Sequence, residues 1–368
     1  MPVYKRGNSY TVRVQLNPDP ATGKRREASK GRFKTKKGAK EYEVEWLIRI
    51  RRGEHVPPEK STVLEFLNQW LDACKNSLSP TTHRRYEGIV KTHIAAHFGA
   101  TPLQRLQPYE IQAMYNRLQD KLSPASVLYV HRVLHRALGQ AVKWQVLLRN
   151  PAAIVEAPKI RQQERSVLSV AQTWIVLDES PEHLYIPILL AVTTGMRRGE
   201  IAALKWSDVD FDTGVLRVCR AMRYTDEGFK ESTTKTDKSR RTIAITPGIV
   251  LALKKHRTTQ KQNRWQLREG YFETGYICVW PDGRSLSPDV ITKGFSRLAG
   301  KLGYNVTFHD LRHTHATILF ELGVPIKTVS ERLGHSTTRL TQDTYTHVLP
   351  HMQEKAARIF DELFFRKA

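Results

Sequence analysis

The sequence predicts a multidomain chain. A small α+β N-terminal domain, a sheet plus a helix, precedes an all-α helical bundle. A mainly α final domain with a small antiparallel β-sheet follows. Three observations predict this. A run with period two, Ser9-Tyr10-Thr11-Val12-Arg13-Val14-Gln15-Leu16, gives way to a helical pattern. Residues 62–157 are helical in pattern throughout. A β-like stretch from Val215 to Ile245 then lies between helical stretches. At 368 residues the chain has room for two or three domains.

Within the first segment, residues 1–56, the alternation over 9–16 marks a half-buried strand. Asn17-Pro18-Asp19-Pro20-Ala21-Thr22-Gly23 is a turn, and Lys24 to Phe33 offers further short strands. From Lys36 to Arg52 the pattern is helical, with Ala39, Tyr42, Val44, Trp46, Leu47 and Ile50 as apolar positions. Residues 1–60 carry 16 Lys or Arg against 7 Asp or Glu, a net of +9. A small sheet on one helix, studded with Lys24, Arg25 and Arg26, suits contact with DNA. The other reading is an oligomerisation module with a solvated basic face.

Paired prolines in His55-Val56-Pro57-Pro58 mark a linker. Thr62-Val63-Leu64-Glu65 has the form of a capping box and opens a helix through Trp70. Ser79-Pro80 and Ser123-Pro124 are two more helix starts, because proline in the first turn gives up no internal hydrogen bond. After the last of these, Val127, Val130, Val133, Leu134, Ala137, Leu138, Ala141 and Val142 form one apolar stripe. Asn150-Pro151 ends the bundle, which spans residues 62–157. Arg84, Arg85 and Arg132 lie among its stripes as candidate phosphate contacts.

A second linker, Pro158 to Arg165, leads into the final segment, residues 168–368. That segment begins helically, from Ile186 to Val192. Four islands in it are rich in chemistry-bearing residues. In Thr194-Gly195-Met196-Arg197-Arg198-Gly199-Glu200 a helix closes at Gly195 and Arg197 starts the next. Glu200, three residues on, shares the face of Arg197 and is placed to hold its guanidinium. Thr234-Lys235-Thr236-Asp237-Lys238 has the look of a tight hairpin with Lys235 at its tip. In Phe308-His309-Asp310-Leu311-Arg312, His309 and Arg312 share a helical face, a poor core but a good phosphate clamp. Leu333-Gly334-His335 precedes Asp343-Thr344-Tyr345 by ten residues.

Composition narrows the function classes. With 59 Lys or Arg against 36 Asp or Glu, the net charge is +23, and nucleic acid is the natural partner of such an excess. No run approaches the apolar length of a membrane span, and the N-terminus lacks a signal peptide's apolar core. Cys74, Cys219 and Cys278 are scattered, without the spacing of a disulfide framework or zinc site. His313 and His315 beside His309 raise the thought of a metal, but no H-E-x-x-H pattern accompanies them. No cofactor is expected, and a bacterial cytoplasmic, nucleoid-associated location is.

In order and spacing the four islands resemble the tyrosine recombinase, or phage integrase, family. Its motif is an Arg after a Thr-Gly turn, a hairpin Lys, His-x-x-Arg, Leu-Gly-His and Tyr. Those positions fall here on Arg197, Lys235, His309, Arg312, His335 and Tyr345. Residues 1–56 resemble the arm-binding domain of such integrases, 62–157 the core-site-binding domain and 168–368 the catalytic domain.

The resemblance implies a site-specific recombinase that cuts and rejoins DNA through a 3′-phosphotyrosine on Tyr345, integrating and excising a mobile element without a metal. Arg197 and Arg312 would each clamp a phosphate with paired N–H bonds, and His335 would add a donor. Lys235 would protonate the departing 5′-oxygen, and His309 would help to place or deprotonate the Tyr345 hydroxyl. Implied partners are duplex DNA at core and arm attachment sites, three further copies in a tetramer on DNA, and an excisionase or host DNA-bending protein. A helical stripe of Ala356, Ile359, Phe360, Leu363 and Phe364 would either pack in cis or dock on a neighbouring copy. The rivals are a Xer-like resolvase and a type IB topoisomerase.

Overall fold

A computed structural model describes residues 3–16, 26–51, 60–160, 166–225, 228–233, 240–335 and 337–345, with short stretches at 357–358, 361–362 and 364–365. The chain divides into two units, Met1–Gln162 and Gln163–Ala368.

The first unit contains two separate cores. Strands β1 (Val3–Arg6), β2 (Ser9–Leu16) and β3 (Arg26–Phe33) form an antiparallel sheet in that order, and helix α1 (Lys36–Arg51) packs on it. Alternation along β2 turns Val12 and Val14 inward against Ala39, while Arg13 and Gln15 face out. The stretch expected to hold several short strands is the single strand β3. A register shift opposite Tyr10 and Val12 accompanies it, and Arg32 takes a left-handed φ of 71°. Two of the apolar positions expected on α1 face outward: Val44 and Leu47 are exposed. Positions 39, 42 and 46 share the sheet-facing side at helical spacing, and 44 and 47 fall on the other.

The second core belongs to helices α2 (Val63–Cys74), α3 (Pro80–Ile89), α4 (Ala95–Phe98), α5 (Pro108–Gln119) and α6 (Pro124–Lys143). Its starts follow the expected chemistry. Thr62 and Glu65 close a reciprocal capping box, with Thr62 N–H donating to Glu65 Oε2 at 2.7 Å. Ser79 and Ser123 cap α3 and α6 ahead of Pro80 and Pro124. The stripe from Val127 to Ala141 is buried against Phe66, Leu67, Trp70, Ile111 and Met114. Each fully buried aliphatic side chain there contributes about 1.5–3 kcal/mol, far more than helix propensity does.

The second unit opens with α7 (Val170–Asp178), a helix the sequence pattern did not announce, and α8 (Glu182–Thr194). The middle of α8, Ile186 to Val192, is buried on every side and so has no amphipathic period, while its first turn carries the exposed Glu182 and Tyr185. Next come α9 (Arg198–Ala202) and β4 (Val209–Asp210), β5 (Val215–Val218), β6 (Arg220–Thr225), β7 (Gly228–Thr233) and β8 (Arg241–Ala244). Helices α10 (Pro247–Leu267), α11 (Pro288–Lys301), α12 (Asp310–Glu321), α13 (Ile326–Leu333) and α14 (Thr338–Tyr345) follow.

The β segment forms two antiparallel sheets, β4-β5-β8 and β6-β7. The hairpin expected around Lys235 falls on residues 234–239, outside the described residues. Thr225 pairs with Gly228 at the end of the β6-β7 ladder, and the described residues of β7 and β8 pair with β6 and β5 respectively. Lys235 itself lies outside the described residues, as do Lys24 and Arg25. No helix among the described residues is long and apolar enough to cross a membrane.

Candidate active site

Two glycine turns meet at the centre of the second unit. Gly195 ends α8 with φ 66°, and Gly334 ends α13 with φ 67°. Both are left-handed, a region in which a side chain is strained. Space excludes one as well. A Cβ on Gly195 would stand 2.5 Å from Leu333 Cδ2 and 2.7 Å from His315 Cδ2, and one on Gly334 would stand 2.9 Å from Arg241 Nη1.

Each turn offers its carbonyl to an arginine from elsewhere in the chain. Arg197 Nη2 donates to Gly334 O at 3.1 Å, and Arg312 Nη1 donates to Gly195 O at 2.6 Å. The Thr-Gly turn, the His-x-x-Arg helix and the Leu-Gly-His turn are thereby tied to one another. Arg312, on α12, is buried, whereas the Arg197 side chain remains 40% exposed. Cations sharing so small a volume repel each other, so an anion is the ligand that the arrangement suits.

Glu200 holds Arg197 as its spacing predicts. Arg197 Nη1 donates to Glu200 Oε1 at 2.9 Å, and the Arg197 backbone N–H donates to Oε2 at 2.9 Å. Glu200 also binds Arg241 of β8: Nη2 to Oε2 at 2.8 Å and Nη1 to Oε1 at 3.2 Å. Burial alone would raise the Glu200 carboxyl; the Arg241 hydrogen bond and the charges of Arg241 and Arg197 outweigh it and hold the group below its ordinary range.

His335 stands half-buried one residue after Gly334, its Nδ1 2.7 Å from the Thr341 hydroxyl of α14. Burial first, and then the charges of Arg312, Arg197, Arg241 and His309, push its pKa down to about 4. The ring is therefore neutral at physiological pH. His309 stands exposed at the N-cap position of α12, where its side chain makes no capping hydrogen bond, its ring 5.0 Å from that of His313. Tyr345 is the last residue of α14, seven residues after the helix begins; its side chain lies outside the described residues.

Comparison with known proteins places this geometry. Residues 161–352 match the phage integrase family, residues 62–119 its N-terminal SAM-like domain and residues 2–50 an arm DNA-binding domain. The tyrosine recombinase XerC-like protein of Caldanaerobacter subterraneus subsp. tengcongensis is 31% identical over 354 residues, 90% of each chain. The ICEBs1 integrase of Bacillus subtilis is 26% identical over 96% of this chain and 97% of its own. The chain belongs to the phage integrase family. It is a tyrosine-type site-specific recombinase.

The fold agrees. The Tn1549 transposon integrase in complex with a circular intermediate DNA superposes with a TM-score of 0.70 at 20% identity, covering 81% of this chain and 99% of that one. The lambda integrase tetramer bound to a Holliday junction gives 0.61 at 22% identity over 93% and 94%.

Two residues packed around the candidate site escaped sequence reasoning. Arg332 of α13 donates from Nε to His315 Nε2 at 3.2 Å and from Nη2 to Thr193 O at 3.0 Å. His315, whose Nδ1 lies 2.8 Å from Val192 O, is thus a neutral strut between α8 and α13. Arg241 is the other, and a signal for it existed. Arg241, Ile243 and Ile245 alternate on the inward side of a strand, and a cation in such a row requires a buried carboxylate.

Of the candidate DNA contacts, Arg84, Arg85 and Arg132 are exposed on α3 and α6. The Arg85 guanidinium lies 3.7 Å above the Tyr129 ring. Arg26 begins β3, its side chain outside the described residues.

Proposed function

We propose that this recombinase integrates and excises a mobile element by exchanging a DNA phosphodiester for a 3′-phosphotyrosine. The observation that carries the reading is the mutual clamping of the two glycine turns, through which Arg197, Arg312 and His335 gather from three stretches of sequence. In the first step the Tyr345 hydroxyl oxygen bonds to phosphorus and the bond to the 5′-oxygen breaks. Lys235 gives the departing oxygen a proton, and His309 helps to place or deprotonate the phenol. Arg197 and Arg312 stabilise charge on the non-bridging oxygens, a task that suits planar, paired donors. The Nδ1 of His335 is engaged by the Thr341 hydroxyl, and in the tautomer with its proton on Nε2 the ring serves as a neutral donor to the same phosphate.

A phenol, with a pKa near 10, leaves far more readily than an alkyl alcohol. The phosphotyrosine accordingly keeps the energy of the broken bond, and a 5′-hydroxyl from another strand reverses the step without ATP. No metal is required of such a mechanism, since the cations are side chains.

The DNA partners in this reading are a core site, gripped by residues 62–157 and 168–368, and an arm site, bound by residues 1–56 through Lys24, Arg25 and Arg26. Four copies assemble on DNA in the bacterial cytoplasm at the nucleoid, aided by an excisionase or a DNA-bending protein. In the test, Tyr345→Phe binds DNA normally but yields no SDS-resistant adduct, and Arg197→Ala or Arg312→Ala slows adduct formation by about 10²–10³. An adduct from the Tyr345→Phe chain would overturn the assignment.

A further inference from the structure

We infer that Arg241 is a positioning residue whose charge keeps Arg197 available to the scissile phosphate. It does so by taking up the Glu200 carboxylate, which would otherwise neutralise Arg197. This rests on the reading of Arg197 as a phosphate clamp.

Two of the three side chains are buried and the third reaches the surface. The Arg241 side chain is 6% exposed and that of Glu200 4%, whereas that of Arg197 is 40% exposed. Arg241 is held from both ends, with Nη1 and Nη2 on the two Glu200 oxygens and Nε donating to Arg332 O at 2.8 Å. Glu200 Oε1 is left to share with Arg197 Nη1.

Two guanidinium groups and one carboxylate leave a net charge of +1, and the exposed member presents it. Without Arg241 the remaining pair sums to zero. Its carboxylate would sit in a low-dielectric interior, where an unshared charge acts at full strength on the nearest cation. Glu200 is needed to orient Arg197, and Arg241 is needed to offset the electrostatic cost of that orientation.

Arg241 also lies beneath Gly334 and touches the turn that presents His335. A purely structural role is thus the competing account, and the two differ in how they respond to charge. In the charge account, Arg241→Gln is repaired by Glu200→Gln, since the double variant again leaves Arg197 as a net cation. In the structural account the second substitution removes another anchor and deepens the defect.

The experiment uses the full chain and a nicked synthetic duplex carrying the junction sequence cloned from the DNA that flanks its gene. Single-turnover adduct formation is followed at saturating duplex, alongside duplex affinity and the melting temperature. Arg241→Gln should slow adduct formation at least about tenfold while affinity changes less than about twofold. The double variant should return to within about threefold of Glu200→Gln alone. A double variant as slow as Arg241→Gln, or slower, overturns the inference, as does an Arg241→Gln chain that cleaves at the parent rate. If Arg241→Gln melts at the assay temperature, Arg241→Lys decides: the charge account keeps its rate within about tenfold of the parent, and a greater loss in a folded Lys variant defeats it. Normal cleavage by Arg197→Ala would instead defeat the reading of the site on which the inference stands.

Discussion

At the residue scale, the site depends on two small residues and two neutral rings. Gly195 and Gly334 combine a left-handed backbone with a neighbour inside the space of a methyl group, so chain direction and close approach both demand glycine. His315 and His335 are held neutral, each with its pKa pushed down to about 4 by burial first and by nearby arginines second. The ordinary value is near 6.5. Between those limits the unfolded chain takes up protons that the folded chain refuses. Stability is therefore full above about pH 6.5 and declines as the pH falls toward 4. His315→Gln can keep both contacts, donating to Val192 O and accepting from Arg332, without titrating. Its melting temperature, compared between about pH 7 and pH 5, should fall less than that of the parent chain. An equal fall in both chains would show that this ring is not the source of the acid sensitivity.

At the element scale, helix α6 separates packing from recognition. Leu134 is fully buried in the bundle core, and Arg132, two residues earlier, is exposed. Leu134→Ala should cost about 3 kcal/mol in chemical denaturation through lost transfer energy and the cavity left behind. Arg132→Ala should leave stability within about 0.5 kcal/mol. If Arg132 meets a phosphate, its removal should also weaken DNA binding without regard to sequence and lower the slope of log affinity against log salt by about 1. An unchanged slope would return Arg132 to the status of a solvated charge. The elements also show what pattern can reveal. The starts of α2, α3 and α6 were legible because capping is a local event between residues three apart. Helix α7 was not, because Val170, Trp174 and Ile175 are exposed while Thr173 is buried, which blurs its stripe. Burial all round the middle of α8 leaves no period by which to find its ends.

At the scale of the whole molecule, the question is why one chain carries a small basic sheet in addition to the bundle and the mainly helical second unit. If the bundle and the second unit hold the crossover site, as proposed, the sheet and α1 are left for a second DNA site at a distance. Tethering would raise the local concentration of the core-binding part, and the phosphate contacts would make binding fall steeply with salt. Footprinting should then show a fragment ending near Lys60 protecting a sequence in the element's arms, distinct from the core. Residues 62–368 should cleave a core half-site yet integrate poorly. Integration by the truncated chain equal to that of the full chain, at the same concentration, would refute the arm assignment.

The sequence by itself determined the order of fold types, the helix starts and the spacing of the six motif positions. All of these are encoded locally, by period, by caps and by residues a few places apart. It also announced the Arg197–Glu200 pair, since residues three apart at a helix start are neighbours. Tertiary structure alone decided what joins those islands. The pairing of β5 with β8, across the intervening β6 and β7, is long-range, and no local signal announces it. The two carbonyl clamps span 137 and 117 residues, and Arg241 reaches Glu200 across 41. Contacts at such separations arise from how helices and strands pack, and a buried charge becomes meaningful only once its counter-charge has been carried to it.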